Sequence, residues 1–314
     1  AGMHPFRFGV QFSKSASGDS YREAVRKIED LGYSTVFCPD HFDDQWAPTV
    51  ALTVAAEATN SLRIATLVYD VDYRHPVTLA KEIATLDLIS EGRVEFGIGA
   101  GWMQQDYESA GIQFDKAGVR IERMLEAVDV LKGLWRNEPF NFKGDHYSIS
   151  DLEGTPTPFQ PGGPPVIIGG GGKRVLTAAA QQADIVGLNA SLHAGSVGPE
   201  TALSALGDRF LERRNWVEEA AGDRFAHIEL QMNTFMTAVT SSTSEAEEMF
   251  NGMAPMFGLT PEQAKTIPMV LAGTVNDVCE QLERYRDLYG TSYWVIHDGE
   301  IEAMAPVVAK LTGA

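Results

Sequence analysis

Of the seven histidines in this 314-residue chain, His41 is the one placed for chemistry, standing in Pro39-Asp40-His41-Phe42 directly after the apolar run Thr35-Val36-Phe37-Cys38. An imidazole at a strand end beside a carboxylate can move a proton near neutral pH, with the carboxylate setting its tautomer or basicity. The alternative is a loop histidine capped by its neighbour. No HxH, HxxH or HxxxH pair occurs, so no preformed metal site is expected. His75 precedes Pro76 and is expected to open a helix, His146 lies in a Gly- and Pro-rich stretch, and His227 precedes a strand. A second feature is Gly169-Gly170-Gly171-Gly172 followed by Lys173-Arg174, between an apolar strand and an Ala-rich helix. Glycines there let backbone N–H groups approach an anion, and the helix N-terminus adds positive potential. The run is neither a Walker loop nor a GxGxxG fingerprint, and its alternative is a connection without a ligand.

Gly99-Ala100-Gly101-Trp102 is a third place where backbone can approach a flat ligand, and Phe12, Trp46 and Trp102 are candidate pocket walls, or ordinary packing. At Leu67-Val68-Tyr69-Asp70 a buried strand meets polar residues without turn chemistry, which suggests a bulge pressed against a ligand. No GxSxG elbow is present, and neither Cys38 nor Cys279 has a CxxC partner, so Cys38 is read as a passive wall near His41.

The elements that must position these groups alternate. Short apolar runs at residues 6–12, 35–38, 62–68, 93–98, 165–168, 184–188, 228–239 and 292–296 read as eight strands, each with a helical follower. That is the count of a single (β/α)8 TIM barrel, an α/β fold with insertions at the C-terminal face. A doubly wound open sheet is the rival, but its glycine fingerprint is missing after the first strand. Residues 137–164 read as an insertion over the mouth, and residues 3–314 as one domain, with Ala1-Gly2 before Met3 taken as a tag remnant.

Composition agrees with an ordinary globular protein: 44% hydrophobic and 22% charged residues. A formal net charge of −18 repels phosphate backbones and anionic headgroups, so neither nucleic acid nor membrane is an expected partner. Two cysteines without a disulfide pattern, no long apolar span and no signal-peptide order point to the cytoplasm.

With these residues in view, the chain resembles the bacterial luciferase-like superfamily, and within it the actinobacterial oxidoreductases that use the deazaflavin F420. The resemblance is carried by FRFGVQF, CPDHF, YRHPVTLAKEIATLDLISEGRVEFGIGAGW and PPVIIGGGGKRVLTAAAQQADIVGL in that order. It implies a cofactor-contacting carboxylate at Asp40 and an active-site histidine at His41, with Asp40 orienting that ring or binding the cofactor. It implies a bulge at Thr66, Leu67 and Val68, often with a non-prolyl cis peptide, behind the cofactor ring, which Ala100 and Gly101 would also approach. Gly169, Gly170, Gly171 and Gly172 would hold the cofactor phosphate. In the deazaflavin sugar-phosphate dehydrogenases a catalytic glutamate follows the strand-four glycine where this chain has Trp102, which favours an apolar substrate. The expected function is F420-type hydride transfer to or from a small organic substrate, in a homodimer. The alternatives are an FMN-dependent monooxygenase served by a separate reductase, and a non-catalytic flavin-binding protein.

Overall fold

The computed structural model describes residues 3–192, 195 and 197–314; the Ala1-Gly2 remnant lies outside them. The chain forms two compact units, one comprising Phe12–Glu29 and Thr35–Ile168, the other the chain up to Gln11, Asp30–Ser34 and Gly169–Ala314.

In the Phe12–Ile168 unit the strands Thr35–Cys38, Arg63–Thr66 and Val94–Gly99 run parallel, with Val36 opposite Ile64 and Ile64 opposite Val94. All four side chains of the first and all six of the Val94–Gly99 strand are buried, the signature of a sheet covered on both faces. Helix Gly18–Asp30 buries Tyr21, Val25 and Ile28, spaced by four and three residues, so one stripe faces the sheet. Helix Pro76–Ile89 begins as the sequence suggests: Pro76 occupies the first turn and the Val77 N–H donates to His75 Nδ1 at 3.2 Å. Helix Ala117–Leu134 packs against it, and the indole N–H of Trp135 donates to the Ala80 carbonyl at 3.1 Å. The stretch read as an insertion holds an antiparallel hairpin, Pro139–Lys143 with Ser148–Glu153. The carboxylate of Glu126 accepts the N–H groups of Asp145, His146 and Tyr147 at its tip, at 2.7 to 3.1 Å.

In the other unit the parallel strands Arg7–Gln11, Thr291–His297, Glu229–Asn233 and Ile185–Leu188 are neighbours in that order. Helices Lys173–Gln182, Gly207–Ala221, Val275–Tyr289 and Ile301–Leu311 accompany them. Two sequence expectations need correction here. Residues 228–239 do not form one long strand. The Thr234 N–H turns to the Val295 carbonyl at 3.0 Å and the Phe235 N–H to Met269 at 2.7 Å, so the chain leaves the sheet. A separate strand, Met236–Val239, then pairs with Val270–Gly273, a four-residue strand unrecognised between Pro268 and Gly273 because it is so short. The helix expected over 203–220 is likewise two helices, Pro199–Ser204 and Gly207–Ala221. Among the described residues no helix is long and apolar enough to cross a membrane.

Candidate active site

His41 follows the Thr35–Cys38 strand and is held by a residue that the sequence did not single out. Its Nδ1 lies 2.6 Å from Asp106 Oδ2, with the two side chains 19% and 7% exposed. Asp106 is carried by the short helix Gln104–Ala110 and also accepts a long hydrogen bond from the Tyr73 hydroxyl, at 3.4 Å. Because a carboxylate only accepts, this contact keeps a proton on Nδ1 and leaves Nε2 for a reacting group. Trp102 packs edge-on against the imidazole, ring centroids 5.8 Å apart and planes at 81°.

Asp40 is not the partner of His41. Its carboxylate accepts from Arg74 at 2.6 and 3.1 Å and from the Asp70 N–H at 2.9 Å, so the expected orienting role falls to Asp106. Asp40 instead ties the end of its strand to the Tyr69-Asp70 segment through a charge-assisted, bidentate contact.

The Leu67–Val68 peptide is cis, at the position the resemblance marks, and Leu67 N–H donates to the Cys38 carbonyl at 3.0 Å. This bulge presses on the neighbouring Val94–Gly99 strand, which explains two of its glycines. A Cβ at position 97 would stand 2.0 Å from the Thr66 carbonyl oxygen, and one at position 99 would stand 2.6 Å from Val68 Cγ2. Gly101 has φ +77°, and a Cβ there would fall 1.9 Å from the Tyr107 hydroxyl. Ala100 and Gly101 offer their carbonyls to Arg120 at 3.1 and 3.4 Å.

Beneath this backbone lies a chain of acids. The Tyr107 hydroxyl is 2.8 Å from Asp70 Oδ2 and 2.8 Å from Asp72 Oδ2, and Asp72 is paired with Arg123 at 2.6 Å. The Tyr107 hydroxyl proton can be given to only one of these two carboxylates at a time. Burial pushes Asp70 up to about 7, with negative Asp72 and Asp40 acting in the same direction against the Asp72 N–H and Tyr107 hydrogen bonds. The folded value lies above the ordinary 3.8, so the native state keeps a proton that the unfolded chain releases between about pH 4 and pH 7. This group's contribution is therefore fully present below that window and lost as pH rises through it, by at most roughly 4 kcal/mol. Asp70→Asn, which still accepts the Asp72 N–H, is expected to flatten the pH dependence of urea-unfolding stability over that window and to be more stable than the wild type at pH 8. Parallel pH profiles for the two proteins would contradict this.

The expected aromatic walls divide. Phe12, 6% exposed, stacks on Tyr21 at 4.9 Å, and Tyr21 stacks on the half-buried Trp46 at 5.2 Å, so Phe12 and Trp46 share one column through the buried Tyr21. Cys38 backs that column, its thiol 3.9 Å from the Tyr21 hydroxyl and raised to about 12 by burial, an unreactive group.

The glycine run belongs to the other unit. Gly169 and Gly170 end the strand Val166–Gly170, and Gly172 is the N-cap of helix Lys173–Gln182, with no side chain capping its first N–H groups. Close approach within the protein accounts for part of the run: a Cβ at 170 would lie 2.3 Å from Val175 Cγ1, and one at 171 would lie 2.5 Å from the Ala190 carbonyl oxygen. The nearly buried Arg213 donates to the Gly171 carbonyl at 2.9 Å and pins the loop. The free helix N-terminus with exposed Lys173 beside it fits an anionic group.

Parallel strands alternating with helices, and a histidine and a glycine loop both placed after strands, are features of an enzyme built on a (β/α)8 barrel, and comparison with known proteins shows that fold. The chain is similar over 98% of its length to the F420-dependent tetrahydromethanopterin reductase of Methanopyrus kandleri, covering 100% of that chain with a TM-score of 0.78 and 18% identity. It is similar in the same way to the monooxygenase RslO1 of Streptomyces bottropensis, with a TM-score of 0.72, 20% identity and 97% of each chain covered. Residues 2–201 match the model of the luciferase-like monooxygenase family, and the chain belongs to that family. A relative by sequence is the F420-dependent glucose-6-phosphate dehydrogenase of Amycolatopsis mediterranei (strain U-32), 32% identical over 163 residues, which are 48% of this chain and 49% of that protein. The chain thus spans about half the length of that relative.

Proposed function

We propose that this protein is an F420-dependent oxidoreductase that transfers a hydride to or from a small, apolar organic substrate. The observation that carries the reading is His41 held at 2.6 Å by the buried Asp106, with Trp102 against its edge. Similarity to an F420-dependent dehydrogenase and an F420-dependent reductase supports the choice of cofactor. F420, when bound, supplies or accepts the hydride. His41 Nε2 gives or takes the accompanying proton at the substrate oxygen. Asp106 fixes the imidazole so that Nε2 is the nitrogen presented, and Thr66 to Val68 with Ala100 and Gly101 form backbone for the cofactor ring; within its own unit, the helix N-terminus after Gly172 suits a phosphate. A homodimeric working unit, which rests on the resemblance, and a single domain over residues 3–314 with a cytoplasmic location, which rest on the sequence reading, belong to the same proposal. An FMN-dependent monooxygenase is the second reading, supported by the likeness to RslO1. To separate them, reduced F420 is mixed anaerobically with a panel of small apolar ketones, and the return of oxidised-cofactor absorbance is followed. Oxidation only with reduced FMN, oxygen and a partner reductase would overturn the F420 reading.

Two outcomes follow from the site. Asp106→Asn places an amide against Nδ1 that can stabilise the wrong tautomer, so kcat is expected to fall by roughly two powers of ten or more while cofactor affinity stays within about twofold. Nitrogen NMR of the His41 ring should show the Nδ1–H form depleted; an unchanged tautomer and rate would remove Asp106 from the account. The wild type is also expected not to oxidise glucose 6-phosphate with oxidised F420, since Trp102 fills the place of the base and adds bulk. Robust turnover of that sugar phosphate, read as loss of cofactor absorbance, would show that another residue supplies the base.

A further inference from the structure

The strand face that carries Arg7, Gly9 and Gln11 in the Gly169–Ala314 unit is continued by Tyr293, Val295 and His297 on its neighbour, by Glu229, Gln231 and Asn233 on the strand beyond, and by Ile185 and Gly187 on the next, because alternate residues share a face. The register sets Gln231 level with Gly187 on one side and Tyr293 on the other. At its lower end the face is closed by charge pairing: Arg7 donates to Glu229 at 2.8 and 2.5 Å and lies over the Tyr293 ring. Above that pair the polar groups are carboxamides and His297, which stands level with Gln11 and has its Nε2 2.8 Å from the Thr234 carbonyl oxygen. Gln231 is 1% exposed, yet its Nε2 is buried with no hydrogen-bond partner among the described residues, and its Oε1 has none either. Asn233 spends its Nδ2 on Gln11 Oε1 at 3.2 Å, which leaves its buried Oδ1 unpaired. Asn189, directly after the Ile185–Leu188 strand, has no side-chain hydrogen bond among the described residues. Gly187 sits between two of these amides: a Cβ there would come 3.7 Å from Gln231 Oε1 and 3.8 Å from the Asn189 amide nitrogen. A side chain at 187 would thus occupy the space they face.

Buried polar groups are nearly always paired, and an amide cluster left open beside a glycine is what a hydrogen-bonding ligand group would complete. We infer that Gln231, Asn233 and Asn189, with Gln11 behind them, form a subsite for a neutral group that both donates and accepts hydrogen bonds, a carboxamide or lactam. Charge selects the class. Arg7 is held by Glu229, that same pairing occupies the carboxylate, and His297 spends Nε2 on the Thr234 carbonyl, so neither a carboxylate nor an ammonium finds a dedicated counterion among these residues. An amide offers a donor and an acceptor side by side and needs neither. Assigning this group to the substrate rests on the oxidoreductase reading; the existence of the subsite does not. Within that reading the substrate carries one neutral amide-like group.

The full-length protein labelled with nitrogen-15 on its Asn and Gln side chains is titrated with 2-pyrrolidinone, propionate and ethylammonium, three probes of similar size and different charge. The expected result is saturable movement of the Gln231 and Asn233 side-chain signals with pyrrolidinone alone, with a dissociation constant of roughly 1–10 mM for so small a ligand. Gln231→Met, similar in length and unable to hydrogen-bond, should weaken binding about tenfold or more. Gly187→Ala, whose methyl would stand against Gln231 Oε1 and the Asn189 amide nitrogen while leaving both amides in place, should do the same, and it stands as the second variant should Gln231→Met fail to fold. No saturable response to pyrrolidinone, an equal response to propionate, or undiminished binding in the folded variants would overturn the subsite. Pyrrolidinone binding in a protein that binds no F420 would keep the subsite and sink the F420 reading, so the two fail separately.

Discussion

Replacing His41 with alanine is expected to leave F420 bound with nearly wild-type affinity and to slow hydride transfer by roughly two to four powers of ten, the usual share of a positioned general acid or base. The physical case rests on orientation. An imidazole that is 19% exposed keeps a fixed direction only if one nitrogen is held, and Asp106 holds Nδ1 from a side chain that is itself almost fully buried. Trp102 restricts the ring further from its edge. The measurement is a single-turnover stopped-flow trace of cofactor oxidation, with binding determined separately by fluorescence. A rate unchanged in His41→Ala and His41→Asn would make the histidine a structural member of a loop.

The largest expected effect on stability comes from one methyl group, in Gly97→Ala. A Cβ at position 97 would be 2.0 Å from the Thr66 carbonyl oxygen and 3.2 Å from Val68, and the nearer atom is backbone that cannot rotate away. The Thr66 hydroxyl also donates to the Gly97 carbonyl at 2.7 Å, which draws the same two strands together. Accommodation therefore requires the strands to part, and overpacking of this kind costs about 3 kcal/mol or more. For a chain of this length that lowers Tm by about 5 °C, or prevents soluble expression. Gly252→Ala is the control: it lies in helix Thr243–Met253 with open space around its Cβ, and is expected to gain up to about 1 kcal/mol. Equal melting temperatures for Gly97→Ala and the wild type would contradict the packing account of the bulge.

The periodicity that revealed these strands operates over a few residues, which is why the strand Thr35–Cys38 lies where the sequence places it and Ile185–Leu188 within one residue of it. It is also why the break at Thr234 escaped notice: Met236–Val239 continues an apolar run, and only the turn of Phe235 toward Met269 separates the strands. The site shows the same division. His41 was legible from its place at a strand end, whereas its partner Asp106 lies 65 residues away and arrives only through the helix Gln104–Ala110. Asp40 attracted the orienting role by adjacency, but neighbouring residues leave an extended strand end in opposite directions, and Asp40 meets Arg74 instead. Glycines were visible as punctuation, but their cause was not. Gly97 and Gly99 make room for the chain's own bulge, and Gly170 for Val175, so ligand approach is not their only explanation. Carboxamides such as Gln231 and Asn189 carry no sequence signal, since their significance lies in what fails to pair with them.

The most direct test of the F420 reading is an equilibrium titration of the wild-type protein with F420 and with FMN side by side, under identical buffer and salt, read by cofactor and tryptophan fluorescence. The account predicts saturable F420 binding in the roughly micromolar range and clearly weaker binding of FMN. FMN bound at micromolar concentration with no response to F420, or no binding of either, would contradict it.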